Sequence, residues 1–219
     1  MGSVDDFFNA LRTYNENLVL MFIITFVLGV TAVLLAFRKS KYSDRFIAAI
    51  LGFLWLWSGL VFFVLFFGSV EVVVFGFTLP YMWYLAGILF VAQGILTLFF
   101  GVIRSSLSFR FVRDPHCFMG AVLVVYAMVI YPIVGFLTGF SYPRYPVFGI
   151  APCPVTIFTL SLLQWLDKKT PTLVAIIPLI HAVLGIVPIL VYSIWADVGL
   201  FFSGVVGFPL ILMRNRELP

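Results

Sequence analysis

Apolar residues fall along this chain in long blocks separated by short polar stretches, at about 17–37, 46–67, 79–103, 117–139, 150–166, 172–193 and 197–213. A helix needs roughly 20 predominantly apolar residues to cross a bilayer, so the pattern predicts an all-α, polytopic bundle of about seven transmembrane helices. The pattern changes before the first block. Phe7, Phe8, Leu11 and Tyr14 recur at helical spacing among polar neighbours. That predicts a short interfacial helix over 1–16, with Ser3 as its cap and Asp6 in an approximate capping box.

Composition narrows the class. The chain is 63% hydrophobic and 10% charged, where a soluble domain carries about 25% charged residues. Too few charges remain to coat a water-facing globule. The expectation is one integral membrane domain over 1–219, with the bundle at 17–213 and a tail at 214–219. The start is acidic rather than basic, with Asp5, Asp6 and Glu16 against Arg12. A cleavable signal would need a positive segment there, so the first block is expected to stay in the mature protein.

Charge then orients the spans. With the N-terminus outside and each block crossing once, eleven of the thirteen Lys and Arg residues fall on inner loops. Only Arg12 and Arg144 lie outside, and the acidic residues divide five outside to four inside. Cytoplasmic loops collect basic residues in this way. The expectation is an inner (plasma) membrane protein with its N-terminus outside and its C-terminus in the cytoplasm. The net charge of +4 then reflects membrane orientation. The bilayer is the expected partner, and nucleic acid is not.

The fifth block starts unlike the others, in the stretch YPRYPVFGIAPCPVTIFTL at 142–160. Four prolines precede or open it. Uninterrupted helix from about Val155 to Leu166 is some 18 Å long at 1.5 Å per residue, against a hydrocarbon layer of about 30 Å. This helix is expected to be short, with irregular chain above it. Such backbone is tolerated at membrane depth only where protein or a wet cavity shields it. Helix-start amides near Thr156 would then face the cavity, as the ends of broken helices do in transporters. Cys153, Thr156 and Thr159 are the candidate ligand-binding residues there, with Arg144 above them to attract a small solute, a small anion or a carboxylate among the candidates. A plug of packed Tyr142, Tyr145 and Phe148 is the structural alternative.

Two further polar residues fall inside blocks. His181 lies mid-block in PLIHAVLGIVP, flanked by Pro178 and Pro188, and Gln93 lies mid-block in the third. Polar groups at that depth turn to the bundle interior or to a cavity, so both are candidates for ligand contact; interhelical hydrogen bonding is the alternative for each. Glu71 and Asp197 sit at block edges, where solvated boundary residues are expected; a cation gate at the outer mouth is the alternative. Cys117 and Cys153 belong to opposite ends and are too far apart to bridge. No cofactor or metal site is expected. The four lysines all lie in inner loops, which disfavours a retinal linkage, and no phosphate-binding glycine loop occurs.

The elements Tyr142-Pro143, Pro146, Phe148-Gly149, Pro152-Cys153-Pro154 and Thr156-Ile157-Phe158-Thr159 together resemble the signature of a family of uncharacterised small prokaryotic multi-pass membrane proteins, a domain of unknown function. Trp55-Leu56-Trp57 with Gly59 and Phe66-Phe67 resembles its second span. The resemblance implies a shared fold and no activity. In the pattern it resembles, histidines stand where this chain has Phe63 and Phe140, so any task those histidines perform is absent or altered here. Three functions stay open: binding or translocation of a small solute through an outward cavity, a structural or assembly subunit without a ligand, and a membrane enzyme acting at the outer face.

Overall fold

The computed structural model describes residues 4–71, 73–74, 77–79 and 81–218. Helix α1, Val4–Asn17, is followed by six helices long and apolar enough to cross a membrane: α2 Val19–Phe37, α3 Ser43–Phe66, α4 Met82–Ile103, α5 Pro115–Leu137, α7 Thr172–Tyr192 and α8 Asp197–Glu217. Between α5 and α7 lies α6, Pro152–Leu163, an apolar helix of only 12 residues. The only strand pairing among the described residues is a two-residue antiparallel match, Val73–Val74 with Phe77–Thr78. Ser3 and its predicted cap lie outside the described residues.

Proline accounts for the deviations of α5, α7 and α8, but not for those of α3 and α4. Pro132 cannot donate a helical hydrogen bond, and the turns before it widen to π geometry over Tyr126–Ile130. Helix α7 is interrupted at Gly185, three residues before Pro188. Helix α8 is interrupted at Val206, three residues before Pro209. Helix α3 is π-helical over Ser58–Phe66 without a proline.

Every residue of α6 is buried. Helices α3, α5, α7 and α8 pack around it, and the apolar side chains of the outer helices, such as Leu20, Ile23, Leu65, Ile88 and Phe136, face outward. An 18 Å helix fully wrapped by longer ones cannot reach both surfaces of a 30 Å layer. The chain before it, Tyr145 to Ala151, is buried irregular backbone. Gly149 makes this path possible. Its φ is +87°, and a Cβ there would collide with Thr25 of α2.

The two ends of the bundle are built differently. At one end the basic loops are tied together. Lys39 Nζ donates to Asp167 Oδ2 (2.8 Å) and Ser108 Oγ (2.6 Å). Arg110 N–H donates to Trp165 O (2.7 Å). Arg214, whose side chain is only 8% exposed, donates to Leu166 O (2.7 Å) and Asp114 Oδ2 (2.9 Å). Burial pushes the Asp114 carboxyl up, but the Cys117 amide and the Arg214 guanidinium outweigh it and hold the carboxyl below its usual range. Burial likewise raises Asp167, and its contacts with Lys39 and Ser108 lower it further than that.

At the other end α1 lies across the bundle. Its stripe of Phe7, Phe8, Leu11 and Tyr14 is buried against protein rings. Phe7 stacks on Tyr192 at 4.1 Å between centroids and Phe8 on Phe140 at 4.8 Å. Tyr14 OH donates to Ile150 O (2.7 Å) and accepts from Trp57 Nε1 (3.0 Å). Asn15 Nδ2 donates to Pro143 O (2.6 Å) and Tyr145 O (2.8 Å). These bonds satisfy carbonyls of the irregular segment, which has no ladder of its own.

Candidate functional site

The start of α6 is shaped by its prolines. A helix leaves four amides without helical partners at its N-terminus. Here Ala151 N–H bonds Val147 O (3.1 Å), and Pro152 and Pro154 have no N–H. Only the Cys153 amide remains of the four. The helix start is therefore largely self-satisfied, and the chemistry above it comes from side chains.

Those side chains enclose a small pocket of about 80 Å³ over the first turn of α6. Its walls are Phe62 and Phe63 from α3, Trp83 from α4, Phe7 from α1, Pro152 and Cys153 of α6, His181, Pro188 and Tyr192 of α7, and Asp197 of α8. The Asp197 carboxyl is the chief polar group. Its position at the start of α8 suggested a solvated edge, yet it is fully buried. The reason is the turn before it. Ser193 adopts a left-handed φ of +56°, and Ile194 and Ala196 fold inward. Tyr131 OH donates to Asp197 Oδ1 (2.6 Å) and Tyr126 OH to Ala196 O (2.8 Å). The Cys153 thiol abuts the carboxyl, but Oδ2 makes no well-formed hydrogen bond. Trp83 Nε1 is also buried without a partner.

A second, larger cavity of about 660 Å³ opens at the α1 end. Asp5, Phe8, Arg12, Phe140, Arg144 and Tyr192 are among its walls. Tyr192 lines both spaces, and Phe7, stacked on it, lines the inner pocket. Phe63 and Phe140 line the pocket and the outer cavity respectively.

The candidate residues divide among these surroundings. Arg144 is exposed in the outer cavity, 3.3 Å from Asp5 and over the Phe8 ring. Cys153 and His181 share the inner pocket. Thr156 Oγ1 lies 3.0 Å from Pro152 O and 2.8 Å from His181 Nδ1. Both contacts are made if Thr156 donates to the carbonyl and accepts from Nδ1–H, which puts the lone pair of a neutral ring on Nε2. Thr159 donates to Val155 O (2.9 Å) and accepts from Trp55 Nε1 (2.8 Å). Gln93 lies apart from the pocket, with Nε2 on Val174 O (2.8 Å) and Thr97 Oγ1 (3.2 Å). Cys117 and Cys153 are both free and buried. Asp197, Trp83 and Tyr192 escaped the sequence reading as site residues; an acidic residue opening the last apolar block was the one signal available for them.

Helices of this length and apolarity around a buried core define a multi-pass helical membrane protein. The chain belongs to a family of unknown function, DUF6064, whose model matches residues 4–218. No curated protein and no solved structure matches it.

Proposed function

We propose that the protein binds a small solute, and passes it on, through the spaces above α6. The outer cavity is the mouth, the Phe7–Tyr192 stack is the door, and the pocket over Cys153 is the seat. The mouth has a volume within the range of small-molecule sites, roughly 300–1,000 Å³. The observation that carries the reading is Asp197, a fully buried carboxyl on the wall of a pocket, held by the Tyr131 hydroxyl and beside the Cys153 thiol, with no basic partner among the described residues. A buried carboxyl without a basic partner costs stability, and a solute on the pocket wall would offset that cost. The distribution of Lys and Arg supports an outward α1 end, in an inner membrane. The opposite end is closed by the Arg214 and Lys39 contacts, so the seat is reached from outside.

One observation favours a second reading, a structural subunit. The hydroxyls of Thr156 and Thr159 are already engaged within the protein. The two readings part at Cys153. In a Cys117→Ser background, methyl methanethiosulfonate is expected to modify Cys153 in the folded protein, and Tyr192→Ala is expected to speed the reaction several-fold. An inert Cys153 in both proteins, modified only on unfolding, would leave the structural reading.

A further inference from the structure

We infer that the seat takes a small primary ammonium ion, held by Asp197 and His181 against aromatic faces. The inference rests on the reading of the pocket as a seat and names the class of its occupant.

Charge decides first. The pocket wall carries a carboxyl and no Lys or Arg. Among the described residues no basic side chain pairs with Asp197. An anion there would face the carboxyl with no basic group to hold it, whereas a cation would draw the carboxyl into its ionised form and pair with it.

Geometry then separates cations. Hard metal ions require shells of six or more oxygen ligands. This wall offers one carboxyl, one ring nitrogen, the Cys153 thiol and several aromatic rings, and among the described residues no three His, Cys, Asp or Glu side chains come together to hold a metal ion. An ammonium group suits that set. Its N–H groups can donate to Asp197 Oδ2 and to His181 Nε2, the ring nitrogen left free by the Thr156 contact. Its charge is also favoured by the aromatic rings that line the pocket, Phe7, Phe62 and Tyr192 beside Phe63 and Trp83. Phe63 and Trp83 are stacked, 5.8 Å apart with planes 24° from parallel.

Size sets the limit. At about 15–30 Å³ per water-sized group, the 80 Å³ pocket holds roughly three to five non-hydrogen atoms. Methylammonium fits, and a short chain ending in a hydroxyl would also give Trp83 Nε1 an acceptor. Bulky quaternary amines do not fit.

The test is equilibrium binding of radiolabelled methylammonium to the full-length protein in detergent, by scintillation proximity. Saturable binding is expected, displaced by unlabelled methylammonium and not by sodium or formate. Asp197→Asn keeps an acceptor for Tyr131 and should weaken binding about ten- to a hundredfold. Trp83→Leu leaves the carboxyl in place and should weaken it several-fold, which keeps the test decisive if the Asp197 variant folds poorly. Equal binding by wild type and both variants would overturn the assignment. If methylammonium does not bind although methyl methanethiosulfonate reaches Cys153, the ammonium assignment falls and the cavity reading stands. If the thiol is unreachable as well, both fall.

Discussion

The side-chain amide of Gln93 fills the hydrogen bond that Pro178 vacates. Pro178 has no N–H to give to Val174 O one turn back in α7, and Gln93 Nε2 reaches that carbonyl from α4 at 2.8 Å. A polar residue deep in the third span is thereby explained without a ligand. Gln93→Leu should cost about 1 kcal/mol, the scale of hydrogen bonds between membrane helices. Adding Pro178→Ala should recover most of that loss, since the new amide can bond Val174 O directly. Melting temperatures of the single and double variants in detergent check this; a double variant no better than Gln93→Leu would refute the pairing.

Helix α1 is held to the irregular segment by Tyr14 and Asn15. Tyr14→Phe keeps the ring but strands Ile150 O and Trp57 Nε1, each buried or nearly so. Losing both partners should loosen α1 by about 1–3 kcal/mol. Hydrogen exchange of the α1 amides should accelerate while that of α6 stays slow. Unchanged exchange in α1 would show that its aromatic contacts suffice.

Thr156 orients His181. Thr156→Val removes the partner of Nδ1, and Thr156→Ser retains it. Methylammonium affinity should fall several-fold in the valine variant and stay near wild type in the serine variant. Equal affinities in the two would mean that the ring does not depend on this contact.

The opposite end should be acid-sensitive. The Asp114 and Asp167 carboxyls sit below their ordinary range in the folded protein. Their stabilising contribution is therefore complete above the unfolded value of about 3.9, and it is lost as pH falls through the lower folded values. The melting temperature should drop between about pH 4 and more acid conditions. Asp114→Asn should lower stability at neutral pH and flatten that drop. An acid limb identical to wild type would place the sensitivity elsewhere.

Hydropathy and prolines made the frame of this protein legible. The blocks at 46–67 and 172–193 became α3 at Ser43–Phe66 and α7 at Thr172–Tyr192. The fifth helix is as short as its prolines implied, although it begins at Pro152 rather than near Val155. The first turn of a helix does not use the amides that Pro152 and Pro154 lack, so both prolines fit inside it. What escaped was tertiary. An amphipathic stripe such as Phe7, Phe8, Leu11 and Tyr14 looks alike whether it meets lipid or protein rings. Asp197 read as a solvated edge because its burial depends on α1 and on the inward turn at Ser193, neither of which a block boundary records. Gln93 could not be matched to Val174 without knowing that α4 and α7 pack together.

The central claim is an occupied space over the first turn of α6. An experimental density map at a resolution that reveals ordered water, of the protein prepared with methylammonium, tests it most directly. Discrete density is expected between Asp197, His181 and Trp83, absent or replaced by water when the amine is omitted. A pocket closed by the side chains of Trp83 or Tyr192 in both maps, or helix running unbroken from Val147 to Leu163, would contradict it.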